Sequence, residues 1–93
     1  MIYALFKAKI TNPDSLAKYR EKAGAALAVH GGKVETGTQD ATALDGHPDM
    51  PDLAALLSFP DKAAALAWIN DPDLTDLHEL RRGAGETEIL LLG

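Results

Sequence analysis

The stretch LAALLSFPDKAAALAWINDPDLTDLHELR, residues 53–81, decides the fold of this chain. Its first part, Leu53 to Phe59, is apolar on both faces and is followed directly by proline, which is typical of a central β-strand. Asp61 then caps a helix that ends near Asn70. One face of this helix is predicted to carry Ala64, Ala67 and Trp68.

A second helical segment follows at once. Asp71-Pro72-Asp73 combines a capping side chain, a proline at the first helical position and an acid that suits the helix dipole. Gly83 and Gly85 end the segment. Its predicted inner side carries Leu74, Leu77, His78 and Arg81.

Upstream of this stretch the pattern changes from strand to helix. Residues Ile2 to Ile10 alternate in polarity as a strand does, with Tyr3 and Leu5 on the second face. Asn12-Pro13-Asp14 starts a helix, predicted over about Pro13 to His30, whose apolar stripe includes Tyr19. Gly31-Gly32 ends this helix.

The remaining segments complete a sheet. Lys33 to Thr38 is predicted to be an edge strand, with Lys33 and Glu35 facing water. Thr42 to Asp45 is interpreted as a strand extension or a small hairpin arm. Asp45 to Asp52, which contains two prolines and three acids, is a surface loop. Glu86 to Leu92 is the last strand, with Ile89 and Leu91 on one face and Leu90 and Leu92 on the other.

The order β-α-β-β-α-β predicts an α+β, ferredoxin-like sandwich, in which an antiparallel sheet carries its helices on one face. It fills residues 1–93 as a single domain. The other sheet face would expose Tyr3, Leu5, Leu56 and one leucine pair of the last strand. Because apolar patches of this size mark interfaces, we expect a homodimer packed through the open sheet face.

Composition excludes several classes of protein. The formal net charge of −5 argues against binding nucleic acid through its phosphates. The absence of cysteine excludes disulfides and thiolate chemistry. The start of the chain does not resemble a secretory signal, and no apolar run approaches the roughly 20 residues of a membrane span. We therefore expect a cytoplasmic protein that does not bind a membrane. No phosphate loop or dinucleotide fingerprint is present, so no bound cofactor is expected.

A set of residues in a fixed order runs through nearly the whole chain. These are Tyr3, Tyr19, Gly31-Gly32, Asp45-Gly46, Phe59-Pro60, Ala64, Ala67-Trp68, Asp71-Pro72 and Arg81. By this pattern the chain resembles the domain-of-unknown-function family 1330, within the dimeric α+β barrel superfamily. The resemblance implies a ferredoxin-like homodimer and no particular reaction, because members of that superfamily catalyse unrelated chemistry. The chain departs from the family pattern at Ser58, where an acid is usual, and near Leu74, where a tyrosine is common.

Arg81 and His78 are the candidate chemical pair, because a spacing of three residues puts both on one side of a helix. In the functional interpretation Arg81 clamps a carboxylate or enolate and His78 transfers a proton. In the structural interpretation Arg81 complements the helix dipole, paired with Asp45 or Asp76, and His78 lies on the surface.

Trp68 and Tyr19 complete the candidate ligand-binding set with His78 and Arg81. Trp68, with Ala64 and Ala67, either walls a ligand pocket or simply fills the core, and the Tyr19 hydroxyl either reaches a ligand or bonds to the backbone. His30 is expected to be structural. His47 lies among acids whose spacing fits no calcium or zinc motif, so no metal site is predicted.

Two functions remain open from the sequence. The first is a small homodimeric protein that binds or transforms a small organic ligand, a carboxylate or an aromatic compound, without a bound cofactor. The second is a non-catalytic dimeric module with a structural or regulatory purpose. Whether the protein is an enzyme is not decided by the sequence. A role in nucleic-acid binding is set aside, because the central strand has no stacking aromatic residue before Phe59.

Overall fold

The computed structural model describes residues 1–93 and contains one four-stranded antiparallel sheet. The first and third strands of the chain lie at the centre of this sheet, with the second strand beside the third and the fourth beside the first. A short 3-10 turn, Pro72–Leu74, joins the second and third helices. The elements in chain order are β1 (Ile2–Ile10), α1 (Pro13–Val29), β2 (Lys33–Thr38), β3 (Leu53–Phe59), α2 (Lys62–Asn70), α3 (Thr75–Gly83) and β4 (Gly85–Leu92). This confirms the ferredoxin-like α+β prediction.

Side chains of the local sequence cap the helices where the sequence predicted starts. The Asn12 Oδ1 atom accepts a hydrogen bond from the Ser15 amide at 3.2 Å, and Asp61 Oδ1 accepts one from the Ala64 amide at 2.8 Å. Asp71 Oδ1 does the same for the Asp73 amide at 2.9 Å. Each bond satisfies a backbone donor that has no partner inside its helix, which fixes where α1, α2 and the 3-10 turn begin.

Residue pairing divides the sheet into two faces of different character. On the helix side Ala4 lies opposite Leu57 and Leu91, and these side chains are covered by α1, α2 and α3. On the open side Leu5 lies between Leu56 and Leu90. The predicted alternation of the last strand is therefore confirmed, and no helix packs on the open side.

The helix side holds two adjoining apolar clusters. One is centred on Phe6 and Tyr19 beneath α1, and the other on Phe59 and Trp68 beneath α2. Leu74 and Ile89 pack against both clusters. The core is thus continuous across the sheet, and α3 lies where its two halves meet.

Two details of the sequence prediction are wrong. Thr42 to Asp45 forms no strand or hairpin arm, because the acidic, proline-rich loop after β2 offers no neighbouring strand with which to pair. In α2 the buried alanine beside Trp68 is Ala65, whereas Ala67 is exposed and Ala64 is half-buried. The cap at Asp61 sets the start of α2, and its phase turns Ala67 toward solvent.

The last part of the loop of residues 39–52 is bonded to the C-terminal end of β1. Lys9 Nζ lies 2.7 Å from Asp49 Oδ1, and Asp52 Oδ2 accepts a hydrogen bond from the Ile10 amide at 2.8 Å. The hydrogen bond with Lys9 lowers the pKa of Asp49 below its usual value. None of the helices combines the length and the apolar character needed to span a membrane.

Candidate functional site

The α3 helix carries the candidate pair into the core. His78 and Arg81 lie three residues apart on the inner side of this helix, and only 2 % and 3 % of their surfaces remain exposed. Leu77 packs beside them in the core. The structural interpretation of His78 as a surface residue is therefore wrong.

A chain of hydrogen bonds fixes both side chains. Arg81 Nη1 donates to His78 Nδ1 at 2.7 Å, and His78 Nε2 donates to the backbone carbonyl oxygen of Trp68 at 3.0 Å. A carbonyl only accepts and a guanidinium only donates, so the ring is neutral with its proton on Nε2. Burial lowers the pKa of His78 below its usual value, and the charge of Arg81 lowers it further.

Two aromatic rings flank the guanidinium of Arg81. Its central carbon lies 5.3 Å from the centre of the Trp68 ring and 5.7 Å from the centre of the Tyr19 ring. The Trp68 and His78 rings meet edge to face at 4.8 Å. Cation–π contacts of this kind hold the guanidinium plane in place without neutralising its charge.

Arg81 has no acidic partner within the protein. Its one hydrogen bond goes to neutral His78, and the expected pairing with Asp45 or Asp76 does not occur. Asp45 lies in the exposed loop and accepts a bond from the Gly46 amide instead. The neighbouring Arg82 is exposed and pairs with Glu79 at 2.9 Å. A buried positive charge without a counter-ion is therefore the distinctive feature of this site.

The guanidinium borders a cleft of about 300 Å³ between α2, α3 and β4, which we call the Arg81 cleft. Arg82 and Glu88 also border it. The indole nitrogen Nε1 of Trp68 is buried and has no hydrogen-bond partner in the protein. Apart from these polar groups and Thr87, the walls are apolar: Ala4, Phe59, Ala65, Leu66, Ile69, Ile89 and Leu91.

A second cleft, the α1 cleft, lies on the other side of the core. It measures about 500 Å³ and separates α1 from β2 and β3. Tyr19 lines this cleft and Arg81 does not, whereas Ile89 lines both clefts. The structure thus brings all four candidate residues into one contact network, with Tyr19 facing a different space from Trp68 and Arg81.

The other histidines take no part in this network. His30 Nε2 lies 2.8 Å from Asp71 Oδ2 and ties the end of α1 to the turn before α3, which confirms its structural role. This hydrogen bond lowers the pKa of Asp71. His47 lies in the exposed loop. No group of three or more histidine and acidic side chains is arranged to hold a metal ion.

Of the residues that border the Arg81 cleft, the sequence-derived ligand-binding set included only Trp68 and Arg81; Ala65 and Ile69 on α2 are among those it missed. The available signal was helical spacing, since Ala65 lies three positions before Trp68 and four positions before Ile69. Arg82 was also missed, because nothing in the sequence distinguishes a solvent-facing arginine from one at the rim of a cleft.

The two departures from the family pattern have structural explanations. On the open sheet face Ser58 is buried, and its hydroxyl donates to Glu35 Oε1 at 2.7 Å, so β2 supplies a carboxylate beside this position. This bond lowers the pKa of Glu35. Leu74 packs against the core. Neither residue borders the Arg81 cleft.

Solved structures that this chain resembles include those of two uncharacterised proteins. A protein of unknown function from Rhodopseudomonas palustris shares 23 % identity with a TM-score of 0.75, over 98 % of this chain and 79 % of its own. The methylated form of that protein shares 24 % identity with a TM-score of 0.76, and the match covers 98 % of this chain and 78 % of that protein's chain. An uncharacterised NIPSNAP domain protein from Burkholderia xenovorans shares 12 % identity, with a TM-score of 0.66 over 100 % of this chain and 93 % of its own. At these identities the likeness shows the fold alone.

No curated protein matches the sequence. The family model described as a domain of unknown function, DUF1330, matches residues 1–93. That span covers the sheet, all three helices and the Arg81 cleft. The chain therefore belongs to the DUF1330 family, as the order of its aromatic, glycine and proline positions predicted.

Proposed function

We propose that this protein binds a small organic carboxylate in the Arg81 cleft. The observation that carries the proposal is the buried guanidinium, which makes one hydrogen bond, to a neutral imidazole, and has no counter-ion. Removing a charge from water costs several kcal/mol unless a partner of opposite charge compensates it. A bound carboxylate is the partner that this arrangement lacks, and the planar guanidinium suits it through paired hydrogen bonds.

The walls of the cleft support an organic ligand over an inorganic anion. Most of the lining is aliphatic or aromatic, so an apolar body gains free energy by displacing water from it. Its volume lies at the lower end of the range of about 300–1,000 Å³ typical of ligand pockets, which favours a small ligand. The unpaired Trp68 Nε1 is a second donor at the same end of the core.

His78 is assigned a positioning role in this proposal. Both ring nitrogens are engaged, Nδ1 by Arg81 and Nε2 by the Trp68 carbonyl, so neither is free to exchange a proton with a ligand. The imidazole instead aims the guanidinium and keeps the pair singly charged. No catalytic step is assigned, and ligand binding is the function that the geometry supports.

A thermal-shift panel tests the carboxylate proposal. Hexanoate and benzoate should raise the melting temperature, whereas the isosteric hexanamide and benzamide should not, because the amides lack the charge that pairs with Arg81. At a ligand concentration of 100 times Kd the stabilisation is about 2.7 kcal/mol. The Arg81→Met variant should lose the response, and equal responses to acid and amide would contradict the proposal.

We also propose that two copies pair through the open sheet face. Tyr3, Leu90 and Leu92 are 40 %, 62 % and 50 % exposed there, next to Leu5 and Leu56. This apolar half of the face supports a second copy as its cover, since an isologous contact sets the same patch against itself. The non-catalytic alternative, a dimeric module with no ligand, rests on this same patch and predicts a flat response in the ligand panel.

A further inference from the structure

The Arg81 cleft and the α1 cleft are separated by a single layer of side chains. Tyr19 borders the α1 cleft and Trp68 borders the Arg81 cleft, and the centres of their rings lie 5.7 Å and 5.3 Å from the central carbon of the Arg81 guanidinium. Ile89 borders both spaces. The two clefts therefore adjoin across Tyr19 and Ile89, with the positive charge at their junction.

We infer that Tyr19 is the residue that limits ligand length at the Arg81 site, confining it to short aliphatic or aromatic monocarboxylates. This inference rests on the proposed carboxylate function and deepens it. Tyr19 is buried, its ring centre lies 5.7 Å from the central carbon of the guanidinium, and it borders the larger cleft under α1. A ligand anchored at Arg81 is thereby confined to the smaller space.

The restriction to a single carboxylate follows from the charges around the cleft. Arg81 is the one buried cation there, and the second basic residue, Arg82, is already paired with Glu79 at the rim. A second carboxylate would find no unpaired cation in the cleft. Dicarboxylates are therefore disfavoured, and the apolar walls accept only a hydrocarbon body.

The α1 cleft is suited to take a longer chain once the barrier is removed. Its volume is about 500 Å³, and Leu16, Leu27 and Leu57 provide an apolar lining. At its mouth lies Gly24, where an added Cβ would meet no atom within 4 Å. Residue 24 borders the α1 cleft and has room for a Cβ, so a larger side chain there provides a means to narrow that cleft independently.

The experiment is a titration series of linear carboxylates from butanoate to dodecanoate, followed by the fluorescence of Trp68, the only tryptophan in the chain. In the wild type the affinity should rise by about fourfold for each methylene that is buried and stop rising early in the series. In Tyr19→Ala the rise should continue, so that decanoate binds at least tenfold more tightly than it does to the wild type. Tyr19→Leu gives a second opening should the alanine variant fold poorly.

The Gly24→Leu variant distinguishes binding of long chains in the α1 cleft from a general loosening of the core. Combined with Tyr19→Ala it should abolish the gain for long chains, and on its own it should leave the binding of short carboxylates unchanged. An unchanged length limit in both Tyr19 variants, or a gain that persists with Gly24→Leu, would overturn the inference while leaving the carboxylate site intact. If no carboxylate binds the wild type or the variants, the proposed function itself fails.

Discussion

The guanidinium of Arg81 is buried near the rings of Tyr19 and Trp68. Helical spacing in the sequence was compatible with this position and also with one at the surface. The sequence could place Arg81 and His78 on one side of a helix, because that follows from periodicity. It could not determine whether an acid reached the guanidinium, because that depends on where the loop of residues 39–52 runs. The loop is tied to Lys9 and Ile10 instead, far along the chain from α3.

Replacement of Arg81 by methionine should leave the free energy of unfolding unchanged or raise it. The variant loses one hydrogen bond to His78, worth about 1–3 kcal/mol, but it also removes the larger desolvation cost of a buried, unpaired charge. Chemical denaturation measures the difference. The control is Arg82→Met, which breaks an exposed ion pair and should change stability by less than about 1 kcal/mol. A loss above about 2 kcal/mol in Arg81→Met would favour a structural role for the charge.

His78 should make the protein less stable in mild acid. Burial keeps its pKa in the folded state below the value of 6.5 for a free histidine, so between these two values the unfolded chain binds more protons than the folded one. Stability therefore rises with pH through this window, and it falls as the pH drops below about 6.5.

Denaturation at a series of pH values measures this dependence. Replacing His78 with asparagine should flatten it between neutral pH and mild acid. The same change at exposed His47, on the loop, should leave it intact. An unchanged slope in His78→Asn would contradict the assignment of a neutral, buried imidazole.

At the scale of single elements, capping chemistry predicted more than hydrophobic pattern did. Asn12, Asp61 and Asp71 identified three helix starts, because each cap depends on only a few neighbouring residues. The inner face of α2 was predicted less well, since a helix made mostly of alanine gives little contrast between its sides. Ala65 and Ala67 are chemically identical, and only packing against the sheet distinguishes them.

Two glycine replacements should have opposite effects on stability. Gly24 lies in α1 with open space where a Cβ would be, so Gly24→Ala should stabilise the protein by about 0.5–1 kcal/mol through helix propensity. Gly85 begins β4 with a φ of +153°, and a Cβ there would overlap the Lys9 carbonyl oxygen. Gly85→Ala should therefore destabilise by about 1–3 kcal/mol. Thermal unfolding measures the melting temperatures of both variants. Equal changes in melting temperature would contradict this description of the contact between β1 and β4.

On the scale of the whole molecule, the sheet has one covered face and one open face. The open face divides into an apolar half around Leu5 and Leu90 and a charged half, where Lys7 pairs with Glu88 at 3.4 Å. The sequence contains the signal for this division, because Tyr3 and Leu5 precede Lys7 and Lys9 on the same face of β1. It could not predict the two separate clefts on the covered face, because these arise from how three helices share one sheet.

The proposed pairing of sheets makes a prediction about mass in solution. Size-exclusion chromatography with light scattering at micromolar concentration should give the mass of two chains, because the exposed leucines are buried against their copies. Leu90→Lys should produce a folded monomer, since a lysine there places like charges across the interface. The matched control is Leu66→Lys, which changes a similarly exposed leucine on α2 and should remain dimeric. A wild-type monomer would contradict the proposed pairing.

The indole N–H signal of Trp68 in a nitrogen-15 NMR spectrum reports directly whether a carboxylate binds beside Arg81. This proton is unique in the chain, is buried without a partner and belongs to the ring stacked on the guanidinium. Titration with hexanoate should shift the signal to saturation in the wild type, hexanamide should not, and Arg81→Met should be unresponsive. If hexanoate leaves the signal unmoved, or moves it equally in Arg81→Met, Arg81 does not bind a carboxylate.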